Sequence, residues 1–355
     1  MRASTVAPFA AIAVLVPAWG RELPGWAVAV AAVALVAAVL AAVHHAEVVA
    51  HRVGEPYGSL VLAVAVTVIE VALIVSLMVS KGGEASSLAR DTVFAAVMIA
   101  CNGIIGVCLL VGALRHRTVS FNAEGSTAAL SAIAVLATLS LVLPTFTTSA
   151  PGPVFSASQL AFAAVASLAV YGVYVFVQTV RHRDYFLPVG EGAHDDEAHA
   201  SPPTNRQTWA SLGLLLVSLV AVVGLAKVES PAIEAGVEAL KAPAAFVGVV
   251  IALLVLLPET LAAVRAARLD RVQTSLNLAY GSALASIGLT IPVIAVASIW
   301  LSGPLVLGLG PTQIVLLALT VAVGILTLVN HRATVMQGTA HLAVFAGFLF
   351  TALVP

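Results

Sequence analysis

The sequence predicts an all-α, polytopic membrane protein, and three observations predict it. Of 355 residues, 61% are apolar and only 9% charged; the mean hydropathy is +1.07; and the apolar residues gather into runs about as long as a bilayer is thick. Soluble domains carry about 25% charged residues, and no soluble core could hide this much apolar surface. A helix needs about 20 largely apolar residues to cross the hydrocarbon. Lipid leaves backbone N–H and C=O groups unpaired unless a segment bonds within itself. The ten-residue alternating strands of a membrane barrel are absent, so each run reads as a helix.

Runs bounded by charge or by Pro and Gly clusters occur at 6–19, 25–43, 59–79, 92–113, 127–143 and 158–180. After a polar interval they resume at 209–226, 243–264, 276–301, 312–329 and 338–354. They make about eleven transmembrane helices, the first and some later ones short. Arg2 and the run Val6 to Val16 have the outline of a secretory signal. Pro17, Ala18 and Trp19 stand where a small-x-small cleavage site would lie, so this run reads as the first span. Cys101 and Cys108 lie in one run, too far apart along a straight helix to bridge, and read as small packing residues.

The basic residues set the orientation. With a cytoplasmic N-terminus, Arg2, Arg52, Arg115, Arg117, Arg181, Arg183, Arg206, Arg265, Arg268, Arg271 and Arg332 fall inside. Only Arg21, Lys81, Arg90, Lys227 and Lys241 fall outside. The positive-inside bias therefore places the N-terminus and the long polar segment Arg181 to Gln207 in the cytoplasm of an inner-membrane protein. That segment, with His194, Asp195, Asp196, Glu197 and His199 between Gly192 and Pro202, reads as a solvated acidic linker rather than a cation-collecting or regulatory element. A net charge of −1 offers no basic field for nucleic acid. The expected partners are membrane lipid, cations and protons, and no sequence feature calls for a homo-oligomer.

The linker divides the chain into an N-terminal helix and loop (1–24), a first five-helix repeat (25–180), the acidic loop (181–207) and a second five-helix repeat (208–355). An odd number of helices per half turns the halves into opposite orientations, the arrangement of inverted-repeat transporters. A weak sequence echo agrees. Thr67-Val68-Ile69-Glu70 precedes a helix interrupted by small and polar residues at Cys101-Asn102-Gly103 and Gly106, while Leu256-Leu257-Pro258-Glu259 precedes one interrupted in the same way from Gly281-Ser282 through Ser286, Gly288 and Thr290 to Pro292.

Among 17 acidic residues, only Glu70 and Glu259 sit well inside apolar runs. At about 1.5 Å per residue both lie roughly 20 to 24 Å along their helices, entering from opposite sides of a ~30 Å core. They can meet near its middle. An ionised carboxylate there costs at least ~2.5 to 3.5 kcal/mol, and no Lys or Arg lies at matching depth. A bound cation or a proton must then supply the compensating charge. Two carboxylates give hard oxygen ligands to a cation, and protons compete for the same oxygens. Asn102, Thr67, Ser282, Ser286 and Thr290 can add neutral oxygens, and Pro258 frees a carbonyl by lacking an N–H. The plainer alternative makes both glutamates protonated, hydrogen-bonded glue.

Gly54-Glu55-Pro56-Tyr57-Gly58 leading into Val66-Thr67-Val68-Ile69-Glu70-Val71, then Arg90-Asp91-Thr92, Asn102-Gly103 and Leu114-Arg115-His116-Arg117, resembles the ChaA-type bacterial calcium/proton antiporters of the calcium/cation antiporter superfamily. Pro258-Glu259, Arg265 to Arg268, and Gln273-Thr274-Ser275-Leu276-Asn277 on to Pro292 extend the resemblance through the second half. It implies calcium efflux against protons, with Glu70 and Glu259 as the ion-binding pair. The wider superfamily often has Gly-Asn-Ala before each glutamate, where this chain has Val66-Thr67-Val68 and Leu256-Leu257-Pro258. ChaA-type proteins are also associated with sodium and potassium exchange.

The expected function is secondary antiport of Ca2+, or of Na+ or K+, against H+, with no cofactor. A passive cation channel would use the same carboxylates without proton coupling. A membrane enzyme finds no support: no nucleophile, base and orienter, no HExxH and no phosphate-binding loop is present. His44, Glu47 and His51 share one helix face before Gly54; they read as an interfacial amphipathic stretch rather than a zinc site or pH sensor.

Overall fold

A computed structural model describes residues 3–54, 57–81, 86–187, 203–239, 241–300 and 303–355. Arg2 and the acidic residues between Gly192 and Pro202 lie outside them. The helices are α1 (Ala3–Ala18), α2 (Gly25–Val53), α3 (Tyr57–Lys81), α4 (Leu88–His116), α5 (Ala123–Phe146), α6 (Ala157–Arg181), α7 (Asn205–Ala239), α8 (Phe246–Val255), α9 (Leu257–Arg268), α10 (Val272–Ala297), α11 (Pro311–Leu328) and α12 (Val335–Leu353). Among the described residues, eight helices are long and apolar enough to cross a membrane, nine with the bent pair α8–α9 taken as one span. α1 and α3 supply shorter apolar helices at the two remaining expected runs.

Local chemistry sets the ends. Gly54, at φ 74°, closes α2 in a conformation that glycine adopts without a Cβ penalty. Ser156 and Gln159 form a capping box at the start of α6, as Thr334 and Gln337 do at α12. Exposed Trp19, Trp26, Trp209 and Trp300 lie at or near helix ends, where indole rings suit a membrane interface.

Two expectations on helix shape are corrected. The expected run 243–264 is not one straight helix: it breaks at Leu256, and α8 and α9 meet at 56°. Pro258 cannot donate to the preceding turn, which weakens the helix there. Conversely, the small and polar residues from Gly281 to Pro292 do not interrupt α10, which is continuous. α4, by contrast, relaxes into a π-helical turn over Ile99–Ile104 that contains Asn102. α7 also runs past the expected 209–226 as far as Ala239.

α4 and α10 form the centre. The apolar stretch of α4 is 89% buried and that of α10 67%, so both are enclosed by neighbouring helices, α10 with one polar face turned inward. α3, which carries Glu70, packs on α10; α8 packs on α4, and α9, which carries Glu259, packs on both α10 and α4. Glycines permit close crossings: a Cβ on Gly106 of α4 would meet Leu342 of α12 at 2.9 Å, and one on Gly288 of α10 would meet Tyr171 of α6 at 2.7 Å. Two short antiparallel pairings tie the halves together. Strand β1 (Val119–Ser120), between α4 and α5, pairs with β2 (Arg332–Ala333), between α11 and α12. Val154, between α5 and α6, bridges to Val306, between α10 and α11.

Candidate ion-binding site

α3 carries Glu70 into the interior, where its side chain is 4% exposed. Thr67 lies one turn earlier on the same face. α10 presents Ser282, Ser286 and Thr290 from one face of its own, because residues four apart stack along a helix. The Ser286 hydroxyl donates to Glu70 Oε1 at 2.5 Å. Thr290 faces the same carboxyl group without meeting hydrogen-bond geometry. The Oγ1 atoms of Thr67 and Thr290 are both buried with no hydrogen-bond partner. Thr67, Glu70, Ser282 and Ser286, walled by Val66, Ala96, Ala252 and Val255, border a cavity of about 10 Å3. That is about the least space that holds one water-sized guest. An unmade hydrogen bond on a buried oxygen costs ~1 to 3 kcal/mol. Such oxygens beside a buried carboxyl group suit a small cation or a proton-carrying water.

Glu259 occupies the first turn of α9, directly after the break at Leu256. It is partly buried, and its Oε2 is enclosed without a hydrogen-bond partner. It lines a second cavity of about 210 Å3 with Tyr174, Gln178, Thr274, Asn277 and Ser282. Val66, Ser282 and Ala285 line both cavities, so the two adjoin with Ser282 at their junction. Glu70 and Glu47 both lie within electrostatic reach of Glu259, and Arg265 within reach of Glu47. Among the described residues, neither Glu70 nor Glu259 forms an ion pair, whereas Arg90 pairs with Asp91.

Of the residues singled out in the sequence, Thr67, Glu70, Ser282, Ser286 and Thr290 come together, with Glu259 in the adjoining cavity. Asn102 does not join them, which corrects its expected place among the oxygens facing the glutamates. Its amide donates to Thr320 Oγ1 at 2.9 Å, and its Oδ1 lies 3.3 Å from Nδ1 of fully buried His341. His341 Nε2 in turn lies 3.1 Å from Thr327 Oγ1. The chain of donors closes with a neutral imidazole protonated on Nδ1. Thr327 then donates to Nε2, Nδ1 donates to Asn102, Asn102 to Thr320, and Thr320 to the Leu316 carbonyl at 2.8 Å. This cluster fastens α4 to α11 and α12. An imidazole inside the final apolar run was its signal in the sequence. Glu229 was also missed, since it falls past the expected end of its run and is buried in α7.

His44, Glu47 and His51 form no metal-holding group among the described residues. The buried histidine of that turn is His45, bonded to the Ser4 carbonyl at 2.9 Å and paired with Ser211 Oγ at 3.3 Å.

The Ser286 bond yields a direct expectation. A hydrogen bond to a charged group contributes ~1.5 to 3 kcal/mol. Ser286→Ala should therefore weaken cation affinity by roughly tenfold or more, without loss of folded protein. Cation titration of purified protein would measure it, and an unchanged affinity would remove Ser286 from the site.

The sodium/calcium exchanger protein family model matches residues 23–180 and 210–354, which is nearly the whole membrane body. The chain belongs to this family. Its members are secondary transporters that exchange cations, so this protein is an antiporter of the calcium/cation superfamily and not an enzyme. The y4hA protein of Sinorhizobium fredii is 51% identical over 90% of this chain and 87% of its own length. The sodium-potassium/proton antiporter ChaA of Escherichia coli is 36% identical over 90% of this chain and 87% of its own. Among solved structures, the H+/Ca2+ exchanger CAX superposes with a TM-score of 0.72, covering 98% of this chain and 88% of that one at 15% identity, a likeness of fold. The family match spans α4 and α10 with the crossing helices that carry Glu70 and Glu259.

Proposed function

We propose that this exchanger moves a cation against protons by alternating access at Glu70 and Glu259, with Ca2+ exported as the leading cargo. One observation carries the reading. A buried carboxyl group with no ion pair among the described residues stands beside the unpartnered hydroxyls of Thr67 and Thr290, and its cavity adjoins that of a second, partly buried carboxyl group. Ca2+ takes 6 to 8 oxygens and favours carboxylates, so it needs both glutamates drawn together across Ser282. Protonation of the same groups provides the other half of the exchange. Monovalent exchange has its own support. The Glu70 cavity alone offers one carboxylate with neutral hydroxyls, a charge balance suited to Na+ or K+, and the relative at 36% identity is named for those ions. Proton movement in protein-loaded liposomes, driven in turn by Ca2+, Na+, K+ and Mg2+, tests the proposal. Cation-dependent proton flux supports it. Cation flux with no proton counterflow would favour a channel.

The division into inverted repeats belongs to this reading. If α3–α6 corresponds to α8–α12, Gly106 and Gly288 are equivalent, and each receives the last helix of the opposite half. The β1–β2 pairing and the Val154–Val306 bridge exchange places under the same correspondence. Membership in an inner membrane with a cytoplasmic N-terminus and acidic loop rests on the arginine-rich ends of α2, α4, α6 and α9. A cysteine introduced at Asp196 should react with an impermeant thiol reagent only from the cytoplasmic side; labelling from outside intact cells would reverse the orientation.

A further inference from the structure

The end of the bundle away from the arginine-rich loops holds a cavity that Glu70 and Glu259 do not line. It measures about 300 Å3 among the starts of α4, α8 and α11 and the end of α12, with Asp91, Phe94, Val249, Gln313 and Phe348 in its wall. On α8 it reaches Val249, and one turn further Ala252 lines the Glu70 cavity. On α4 it reaches Phe94, and Ala96 lines the Glu70 cavity. About one turn of two packed helices separates this cavity from Glu70, and Phe94, Ala96, Val249 and Ala252 there are all buried and apolar.

The contact between α4 and α8 at this level is close but not bonded. A Cβ on Gly248 would lie 2.9 Å from the Asp91 carbonyl carbon and the Thr92 nitrogen. The Thr92 hydroxyl is fully buried with no hydrogen-bond partner. The firm bonds of the α4 N-terminus run elsewhere. Asp91 Oδ2 accepts from Ser87 Oγ at 2.8 Å, and Oδ1 accepts from Arg90 Nε and Nη2, each at 2.8 Å. Arg90 Nη1 donates to the Gly308 carbonyl at 3.1 Å, and the Val306 N–H to the Ser86 carbonyl at 3.0 Å. Asp91 thus holds the guanidinium that ties α4 to the loop before α11.

We infer that the second access path to Glu70 opens along the α4–α8 seam, and that Arg90 and Asp91 are a positioning pair whose clasp on the Gly308 loop keeps α4 in the closed arrangement. The inference rests on the proposed role of Glu70, because the seam matters to exchange only if it leads to an exchanging carboxylate. The cavity at Glu259 gives access from the arginine-rich end, so the seam is the layer that must part for access from the other. Thr92 is the oxygen that parting would bring into the path. The carboxylate neutralises Arg90 beside a route for cations, where a bare guanidinium would repel the cargo.

The test uses the full chain with Cys101→Ala and Cys108→Ala and a single reporter beyond the seam, Ala252→Cys in the wall of the Glu70 cavity, labelled by an impermeant thiol reagent from either side of sealed vesicles. Asp91→Asn and Arg90→Gln should each raise the labelling rate from the face bearing the Gly308 loop by about tenfold or more, as loss of a charge-assisted bond shifts a two-state equilibrium. A Leu278→Cys reporter in the Glu259 cavity should not gain reactivity from that face. Unchanged Ala252→Cys labelling in both variants, or a gain only from the arginine-rich face, overturns the inference. Should either variant fail to yield monodisperse protein, Arg90→Lys, which keeps a charge but not the three-pronged contact, carries the same expectation. Labelling is read without transport, so persistence of exchange in Glu70→Gln would sink the role of Glu70 while leaving the seam result to stand or fall alone.

Discussion

Glu70→Gln should abolish cation-driven proton movement and leave the fold intact. The amide keeps the size of the carboxylic acid, and its Oε1 can still accept from Ser286, so the 2.5 Å contact survives in altered strength. What disappears is the titratable charge. With no ion pair to Glu70 among the described residues, nothing nearby can replace that charge, and flux should fall to that of protein-free liposomes. Glu259→Gln should do the same. In the wild type, apparent cation affinity should weaken as pH falls, because protons occupy the oxygens the cation needs. Both glutamine variants should flatten that dependence. Near wild-type exchange in either would return the glutamates to structural glue.

The second large effect is on stability. Gly338 of α12 crosses α4 so closely that a Cβ would lie 2.6 Å from the Leu110 nitrogen, 2.9 Å from its Cα and 3.0 Å from the Gly106 carbonyl oxygen. These are backbone atoms of a central helix and cannot rotate aside as a side-chain tip can. Gly338→Val should wedge α12 away and destabilise the protein by ~3 kcal/mol or more, seen as a clear drop in unfolding temperature in detergent. Gly347, further along α12, provides the control. A Cβ there meets nothing within 4 Å, so Gly347→Ala should be close to neutral. Equal losses from both substitutions would mean that the close crossing at Gly338 does not set the cost, because helix propensity alone favours Ala over Gly.

The parts of this molecule that were legible in sequence are those where lipid imposes a rule on single segments. Apolar length located the helices, and the cost of a buried charge singled out Glu70 and Glu259. Helical spacing then placed Thr67 beside Glu70 and aligned Ser282, Ser286 and Thr290. The direction of a side chain around a central helix was not legible. Asn102 lies in a run apolar on all sides, so no amphipathic stripe said which neighbour it would face. The π-helical turn over Ile99–Ile104 carries its amide toward Thr320 and His341. The bend at Leu256 was hidden similarly, since Pro258 signals a weakened helix but not the angle it adopts. Asp91 falls just before its apolar run, and only the bonds to Ser87 and Arg90 give its buried position a meaning.

The most direct test of shared carboxylates is proton release on cation binding, followed in weakly buffered detergent solution as Ca2+ or Na+ is added to purified protein. The wild type should release protons on binding, with release diminishing as the starting pH rises and the glutamates begin unprotonated. Glu70→Gln and Glu259→Gln should each reduce the release, and the double variant should eliminate it. Cation binding by the wild type with no proton release at any pH, or undiminished release from the double variant, would contradict the account.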